Sequence, residues 1–377
     1  MSGNAPAFDA DEILEGIKTW VLVESPTSEP ARVNRMMDLA AEAMARLGAT
    51  INRESAGEGY GDLLIARVPG RTEGPGILVL GHLDTVHLVG TLDRDLPWRR
   101  DGDKVYGPGI YDMKGGMYAA VYALRQLLRA GTTPRLPVTV MFVPNEEVGS
   151  PTTRARIEDE ARRHRYVLVP EPAKQGRLVT GRFAFARFRL HARGRPAHAG
   201  ATLARGRSAI REMVQQVLRI EAMSNPETGV TLSVGIIQGG TFVNVVPIEC
   251  RAEVLSVMPS RAAFEETCVR MLALEPISPD VAFTVEQGPV RPLFEPNDGV
   301  LALYDRAEAI AKDIGFVPGH GSFGGGSDGN FTGALGIPTL DGLGLCGDGA
   351  HTHDEHVLYS SLVPRARLLA GLFEALD

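Results

Sequence analysis

Histidines and carboxylates recur just past apolar runs of this 377-residue chain, and side chains of these types can bind metals or carry protons. In chain order they are His82, Asp84, Asp112, Glu146, Glu147, Glu171 and His351. Imidazole nitrogens combined with carboxylate oxygens suit zinc and similar divalent ions, whereas carboxylates alone would suggest magnesium or calcium. The set is too large for one tetrahedral zinc. It is about right for two ions that share a bridging carboxylate, an arrangement used in hydrolysis.

The adjacent pair Glu146 and Glu147 strengthens this hypothesis. Neighbouring side chains point in different directions, so one carboxylate can bind metal while the other stays free as a general base. Each residue alone has a simpler explanation. A His-x-Asp pair is usually a surface or core feature, Glu171 could be a loop charge, and His351 shares its loop with two other histidines. The hypothesis of a metal site therefore depends on the whole ordered set of residues and not on any single one.

The elements that must position these residues are predicted to be strands at residues 76–80, 138–143 and 166–169, each an apolar run that ends just before an acidic or histidine residue. Side chains alternate along a strand, so we expect His82 and Asp84 to project to the same face. In an open α/β sheet, active sites form at the carboxyl ends of the strands. Asp112 is expected at the amino end of a helix instead.

A second folding unit is predicted within the chain. Helical patterns cover residues 11–23, 32–47, 113–128 and 298–314. The middle segment has its own pattern of strands at 183–191, 230–237, 243–258 and 281–286 and helices at 208–223 and 261–274. The metal-type residues skip this segment. We therefore expect an α/β catalytic domain (residues 1–180 and 291–377), with a mixed sheet flanked by helices, and an inserted α+β domain at residues 181–290.

The composition is that of a globular enzyme, with 44% hydrophobic and 23% charged residues. A net charge of -7 argues against binding of nucleic acid or an anionic membrane by bulk electrostatics. The three cysteines, Cys250, Cys268 and Cys346, lack paired spacing, which favours a reducing compartment. Residues 1–11 show no basic segment followed by an apolar core, and no run reaches the length of a membrane span. These features predict a cytoplasmic protein.

Seven motifs resemble the co-catalytic zinc metallopeptidases that include glutamate carboxypeptidase, aminoacylase and succinyl-diaminopimelate desuccinylase, and the chain looks closest to the glutamate carboxypeptidase branch. The resemblance spans nearly the whole chain. The motifs are Gly-His-Leu-Asp-Thr-Val (81–86), Gly-Ile-Tyr-Asp-Met-Lys-Gly-Gly (109–116), Asn-Glu-Glu-Val-Gly-Ser (145–150), Arg-Pro-Ala-His-Ala-Gly (195–200), Asn-Val-Val-Pro (244–247), Gly-Gly-Gly-Ser-Asp (324–328) and Ala-His-Thr-His-Asp-Glu (350–355).

The resemblance implies two Zn²⁺ ions per subunit, for which Co²⁺ or Mn²⁺ could substitute. Asp112 would bridge them, and His82 with Glu171 would complete one site. Glu147 with His351 would complete the other. The resemblance also implies a cis peptide bond after Asp112. Two further catalytic roles follow from it. Asp84 would hydrogen-bond the free nitrogen of His82, and Glu146 would take a proton from the bridging water and pass it to the leaving nitrogen.

The inserted segment resembles a lid domain that commonly mediates homodimerisation. His198 matches a lid histidine that reaches the partner's active site and stabilises the oxyanion. Asn244 and Arg291 match residues that hold a substrate carboxylate. The glycine-rich loop at residues 319–329, with Gly325 and Ser327, could offer backbone amides to the same group. The arginine that many relatives carry after Asn-Val-Val-Pro is missing from the stretch that contains Val257, which weakens the case for strict glutamate specificity.

The function expected on these grounds is hydrolysis of the amide bond to a C-terminal amino acid in a small peptide, as in glutamate carboxypeptidases. Deacylation of N-acyl amino acids needs the same metals and carboxylate clamp, so it stays an alternative. Aminopeptidase action and hydrolytic deamination on the same scaffold are less favoured. A binding protein that had lost its chemistry should also have lost a ligand or the base, whereas every member of the set is present.

Overall fold

The computed structural model describes residues 7–57 and 59–377. The chain forms two compact units. The larger unit comprises Met1–Gly181, Phe294–Phe323 and Ser327–Asp377, and the inserted unit comprises Arg182–Leu293 and Gly324–Gly326. The inserted unit therefore takes in three glycines of the 319–329 loop, which the sequence placed in the catalytic domain. The expectation drawn from residues 1–11 falls in part on residues 1–6, which lie outside the described residues.

Helices and strands alternate along the described chain. The helices are α1 (Ala10–Val21), α2 (Pro30–Ala45), α3 (Thr91–Arg94), α4 (Gly115–Arg129), α5 (Arg154–Ala161), α6 (Ala209–Glu221), α7 (Arg261–Leu272), α8 (Asp298–Ile314), α9 (Gly329–Ala334) and α10 (Leu362–Ala375). The strands are β1 (Thr50–Ser55), β2 (Asp62–Val68), β3 (Gly76–His82), β4 (Arg99–Asp101), β5 (Lys104–Tyr106), β6 (Val138–Val143), β7 (His164–Leu168), β8 (Leu178–Arg182), β9 (Ala184–Arg193), β10 (Thr231–Gly239), β11 (Glu249–Met258), β12 (Ala282–Arg291), β13 (His320–Phe323), β14 (Thr339–Leu340), β15 (Gly347–Asp348) and β16 (His356–Leu358).

The main sheet of the larger unit is mixed and has six strands in the order β1-β2-β6-β3-β7-β14. Strands β6, β3, β7 and β14 run parallel to one another, whereas β2 is antiparallel to both of its neighbours, β1 and β6. Parallel strands are buried on both faces, which explains why β3 is buried along its whole length and is apolar up to its last residue, His82. Its residues Ile77 and Val79 pack into the core formed with α1, α2, α4, α8 and α10, whereas Leu78 and Leu80 pack on the opposite side with α5 and α9.

Helix α1 shows how the sequence dictates these layers. Asp9 caps its amino end by accepting a hydrogen bond from the backbone N–H of Glu12. Residues at helical spacing, including Ile13, Ile17 and Trp20, form its buried face. The polar face of the helix is left toward solvent.

The inserted unit is an antiparallel sheet in the order β10-β11-β9-β12, with α6 and α7 packed on it. Alternate residues of β9 are buried, as expected for a sheet with one face on a core. Its hydrophobic cluster is separate from those of the larger unit. The inserted unit thus has a core of its own.

Two strand predictions in the inserted unit differ from the structure. The predicted strand at 243–258 begins only at Glu249, because the Asn-Val-Val-Pro stretch pairs with the turn around His198. Pro247 also lacks the N–H that a ladder requires. The strand predicted at 281–286 extends instead to Arg291, with a register shift after Gln287.

Within the part of the chain that the structure describes, no helix has both the length and the apolar character needed to cross a membrane.

Candidate metal and active site

The candidate site lies at the carboxyl ends of β3, β6 and β7, which are neighbours in the main sheet. His82 is the last residue of β3. Glu146 and Glu147 occupy a short 3₁₀ turn just after β6, and Glu171 follows β7. Parallel strands bring their carboxyl ends to one edge, so three separate segments deliver side chains to the same place.

Asp112 lies at the centre of this group. Its Oδ1 is 3.2 Å from His82 Nε2, and its Oδ2 is 3.3 Å from His351 Nε2. It occupies an irregular turn, residues 110–114, which begins after Gly109 in a left-handed conformation and contains a cis peptide bond between Asp112 and Met113. His351 itself has a φ of 64°, which is uncommon for a residue other than glycine. The two oxygens of one carboxylate therefore face two different histidines.

The remaining carboxylates divide between these histidines. Glu171 Oε1 and Glu146 Oε2 lie 3.7 Å and 3.9 Å from His82 Nε2. Glu147 Oε2 lies 3.0 Å from His351 Nε2. One ligand atom from each of His82, Asp112 and Glu147 lies within 4.8 Å of the others, which is a group able to hold a metal ion. Buried carboxylates at this density need cations to balance them, and a mixed set of imidazole and carboxylate donors fits zinc.

The pKa values show how strongly these groups interact. Burial lowers the pKa of His82, but Asp112 and Asp84 raise it more, so it lies well above its ordinary value. Burial alone would raise the pKa of Asp112, yet hydrogen bonds from His351 and His82 hold it well below its ordinary range. Burial, with the charge of Asp112 adding to it, raises the pKa of Glu147 to about 8 against the effect of His351. Asp112 and Glu147 raise the pKa of His351 to about 10. Cations that bind here must displace these protons.

Asp84 lies next to the candidate ligands and accepts hydrogen bonds from the segments that carry them. Its carboxylate accepts hydrogen bonds from Thr27 Oγ1 (2.7 Å) and from the backbone N–H groups of Glu146 (3.2 Å) and Glu147 (3.3 Å). His82 Nδ1 lies 3.0 Å from the Asp84 backbone oxygen and 3.4 Å from its Oδ1. The nearest partner of the histidine is therefore the backbone of Asp84, not its carboxylate. Because either partner accepts the Nδ1 proton, the neutral ring would present the lone pair of Nε2 to a bound metal ion.

Sequence reasoning missed two residues that hold this arrangement. Thr27 donates to Asp84, although it reads as one residue of an ordinary Ser/Pro-rich turn. Glu355 is buried and accepts backbone hydrogen bonds from the turn that carries Asp112. Its presence in the Ala-His-Thr-His-Asp-Glu motif was the available signal.

The inserted unit places His198 and Asn244 next to each other. His198 is exposed, and its Nδ1 accepts hydrogen bonds of 3.2 Å from the N–H groups of Gly200 and Ala201. The proton of the neutral ring therefore sits on Nε2, which is left as a donor. The backbone oxygen of Asn244 accepts a hydrogen bond from Ala199. Two of the residues predicted to touch substrate thus share one exposed patch of this unit.

The glycine-rich loop gives a different result for its two predicted residues. Gly325 is exposed, and its carbonyl accepts a hydrogen bond from Arg182, while the Arg291 side chain packs against Gly326. Ser327, in contrast, is fully buried, and its hydroxyl donates to Asp341 at 2.6 Å. Its backbone N–H donates to Asn330. The hydroxyl and the backbone N–H of Ser327 are thus both engaged within the protein, and its role in substrate binding stays a prediction.

A model of Peptidase family M20/M25/M40 matches residues 78–375 of this chain. Carboxypeptidase G2 of Pseudomonas sp. (strain RS-16) is 30% identical over 370 residues, which cover 95% of this chain and 88% of that protein. The structure of a tripeptidase from Staphylococcus aureus is similar with a TM-score of 0.76 at 20% identity, covering 97% of this chain and 98% of that chain. An M20 family metallo-carboxypeptidase from Sulfolobus solfataricus gives a TM-score of 0.72 at 15% identity, covering 96% and 98%. The two structural likenesses concern the fold alone.

Proposed function

Because this chain belongs to Peptidase family M20/M25/M40 and is thus a hydrolase of the metallopeptidase type, we propose that it is a carboxypeptidase with two zinc ions. It would cleave the amide bond that joins a C-terminal amino acid to the rest of a small peptide. The name of the carboxypeptidase relative supports the choice of bond.

One observation carries the proposal of two ions. The two oxygens of Asp112 face His82 and His351 separately, at 3.2 Å and 3.3 Å, as a bridging carboxylate should. His82 and Glu171 would then hold one ion, and Glu147 and His351 the other. A single tetrahedral ion would leave part of this buried charge unbalanced.

The chemistry divides between the ions and the residues of the chain. Bound divalent ions would polarise the scissile carbonyl and make a water molecule more acidic. Glu146 would accept a proton from the attacking water and deliver it to the nitrogen that leaves. Its neighbour Glu147 is committed to His351, so the two adjacent glutamates would have separate roles.

His198 would supply the group that stabilises the oxyanion. Its Nε2–H is fixed as a donor by the two backbone N–H groups that occupy Nδ1. A preorganised donor of this kind stabilises negative charge as it develops. We propose that it acts on the active site of a second subunit, in a homodimer formed through the inserted unit. That unit exposes apolar side chains on α6 and on the edge strand β10, such as Leu218 and Ile237.

Recognition of the substrate carboxylate would fall to Asn244, Arg291 and the backbone of Gly325. A guanidinium can meet a carboxylate through two charge-assisted hydrogen bonds. Position 257, in β11, is a half-buried valine. The pocket for the C-terminal side chain of the substrate would therefore lack the arginine that favours glutamate. We propose a preference that extends to uncharged C-terminal residues. The three free cysteines are in keeping with a cytoplasmic location.

The test is release of an amino acid from a mixed panel of dipeptides, folate-type glutamates and N-acyl amino acids, followed by mass spectrometry. The zinc-loaded protein should release the C-terminal residue of peptide substrates, and the matched Glu146→Ala protein should not. Release only from N-acyl amino acids would show a deacylase. No release from any substrate by protein that holds two metals would overturn the proposal.

A further inference from the structure

We propose that Glu355 is a positioning residue that fixes the Asp112 turn and the His351 segment to each other, and thereby sets the geometry of the metal ligands. The inference rests on the proposed dinuclear site. Glu355 is 1% exposed and directly precedes β16, four residues after His351. Glu355 thus lies in the segment that carries His351 and binds the turn that carries Asp112.

Both carboxylate oxygens of Glu355 are fully used. Oε1 accepts hydrogen bonds from the backbone N–H groups of Tyr111 (2.9 Å) and Asp112 (3.0 Å). Oε2 accepts from the N–H of Gly109 (3.0 Å) and lies 2.5 Å from His87 Nε2. A carboxylate offers about four acceptor positions, so this set of donors saturates it. Glu355 is therefore an acceptor for the turn and has no oxygen left for a metal ion.

The turn needs such a partner because its backbone is irregular. Asp112 and Met113 have non-helical dihedral angles, and Gly109 has a φ of 71°. The N–H groups of Gly109, Tyr111 and Asp112 consequently reach a side chain 243 to 246 residues away instead of a helical carbonyl. Buried N–H groups without a partner are costly, so the buried carboxylate holds the turn in this conformation.

The consequence reaches the metal ligands through the backbone of Asp112. Its N–H is anchored by Glu355, and its two oxygens diverge toward His82 and His351. If the turn relaxed, the carboxylate could no longer face both histidines at once. His87, itself 7% exposed, completes the arrangement with its contact to Oε2. Residues that orient metal ligands typically change affinity by roughly 10- to 100-fold when they are replaced.

Two variants of graded severity test this role. In Glu355→Gln the amide oxygen can keep the bonds to Tyr111 and Asp112, and the NH₂ group can donate to the other tautomer of His87. Only the Gly109 N–H then lacks an acceptor. Glu355→Ala removes all four bonds. A matched control is Glu160→Gln, which changes another buried glutamate, bonded to Arg67 and Arg156 and outside the metal cluster.

The measurements are zinc affinity by competition with a chelator, the visible spectrum of the Co²⁺-loaded protein, kcat and KM separately, and the melting temperature of the metal-free protein. We expect Glu355→Gln to weaken at least one zinc by roughly tenfold and Glu355→Ala by roughly 100-fold. The Co²⁺ spectrum should change and kcat should fall more than KM rises. The control should keep wild-type affinity and spectrum.

Unchanged zinc affinity and an unchanged spectrum in both variants would overturn the role, as would a lower melting temperature alone. If Glu355→Ala does not fold, Glu355→Gln decides. Failure of the wild-type protein to bind two ions would instead count against the proposed function, so the two failures are distinguishable.

Discussion

At the scale of single residues, the site depends on how Asp112 is shared. Its carboxylate lies within 3.3 Å of the imidazoles of His82 and His351, which are far apart in the sequence. The different roles proposed for the adjacent residues Glu146 and Glu147 also have a geometric basis. Glu147 approaches His351 at 3.0 Å, while Glu146 lies near His82 at 3.9 Å. In this proposal the direction of the side chain, more than the residue type, distinguishes the metal ligand from the general base.

This difference predicts opposite results for two neighbouring substitutions. Glu146→Ala should keep both metal ions and lower kcat by about a hundredfold to ten-thousandfold, because it removes the proton acceptor. Glu147→Ala should lose metal, because it removes a ligand. Metal content by mass spectrometry and steady-state kinetics would check both variants. Loss of metal from Glu146→Ala with retention in Glu147→Ala would show that the two roles are reversed.

A second prediction at this scale concerns the metal-free protein. The pKa of His351 is about 10 in the folded protein, against an ordinary value of 6.5, so the folded state binds this proton more tightly. The stability that His351 contributes should be fully present below about pH 6.5 and lost as the pH rises toward 10. Lys114, whose pKa burial lowers to about 7, titrates in the same range with the opposite sign, and Glu147, whose pKa burial raises to about 8, titrates there with the same sign.

The comparison must therefore be made with a variant that keeps both Lys114 and Glu147. His351→Asn is suitable because asparagine tolerates the left-handed backbone at this position. Melting temperatures of both proteins in excess chelator, from pH 6 to pH 10, should converge as the pH rises. A constant or growing difference would contradict the predicted sign.

At the scale of elements, close backbone approaches fix where the ligands emerge. A Cβ at Gly116, in the first turn of α4, would lie 2.0 Å from the backbone oxygen of Pro170, the residue before Glu171. Gly116→Ala should therefore destabilise the protein by about 1–3 kcal/mol. In an unobstructed helix interior the same change would stabilise it by about 1 kcal/mol. The sign of the change in unfolding free energy thus tests the contact.

Gly235→Ala is the control for this prediction. Gly235 lies in β10, and a Cβ there would meet nothing within 4 Å. Its effect should stay within about 0.5 kcal/mol. Denaturant titration of the metal-free proteins would measure both variants, and zinc affinity would show whether Glu171 has moved. Equal stability of Gly116→Ala and wild type would mean that the loop yields without cost.

The elements that the sequence revealed are the long periodic ones. Apolar runs identified β3, β6 and β7, and helical spacing identified α1 and α8. The small sheet β15-β16-β5-β4 was missed, because strands of two or three residues carry no readable period. That sheet places Glu355 beside the Asp112 turn. The small sheet forms by pairing between distant segments, as between His356 and Tyr106. A single sequence does not show such pairing.

At the scale of the whole molecule, the family match confirms the metallopeptidase class expected from the motifs, and the solved structures of similar fold confirm the α/β fold. His82, Glu147 and Glu171 could be proposed as ligands because each lies at or just after the end of a recognisable apolar run, and their assignment as metal ligands stays a prediction. Ser327 could not be assigned in this way, because only the structure shows that its hydroxyl is buried against Asp341. Motif membership alone does not tell an internal hydrogen bond from a substrate contact.

The proposed dimer leads to a prediction that involves two different chains. If His198 serves the active site of the partner subunit, a His198→Ala chain lacks the donor for its partner but keeps its own Glu146. A Glu146→Ala chain has the reverse defect. Each homodimer should be nearly inactive. In a mixed dimer, however, the site with an intact Glu146 faces the intact His198 of the partner subunit, so one of its two sites should work.

Random pairing of equal amounts makes about half of the dimers mixed, each with one working site, so about a quarter of the wild-type activity should return. The chains should be mixed under conditions that dissociate dimers, then reassembled and assayed after their zinc content and their mass by light scattering are checked. Recovery near this level requires a donor that acts across the dimer. No recovery, in dimers shown to have exchanged subunits, would place His198 in its own subunit's site or outside catalysis. A His198→Ala protein with full activity alone would remove the residue from the mechanism.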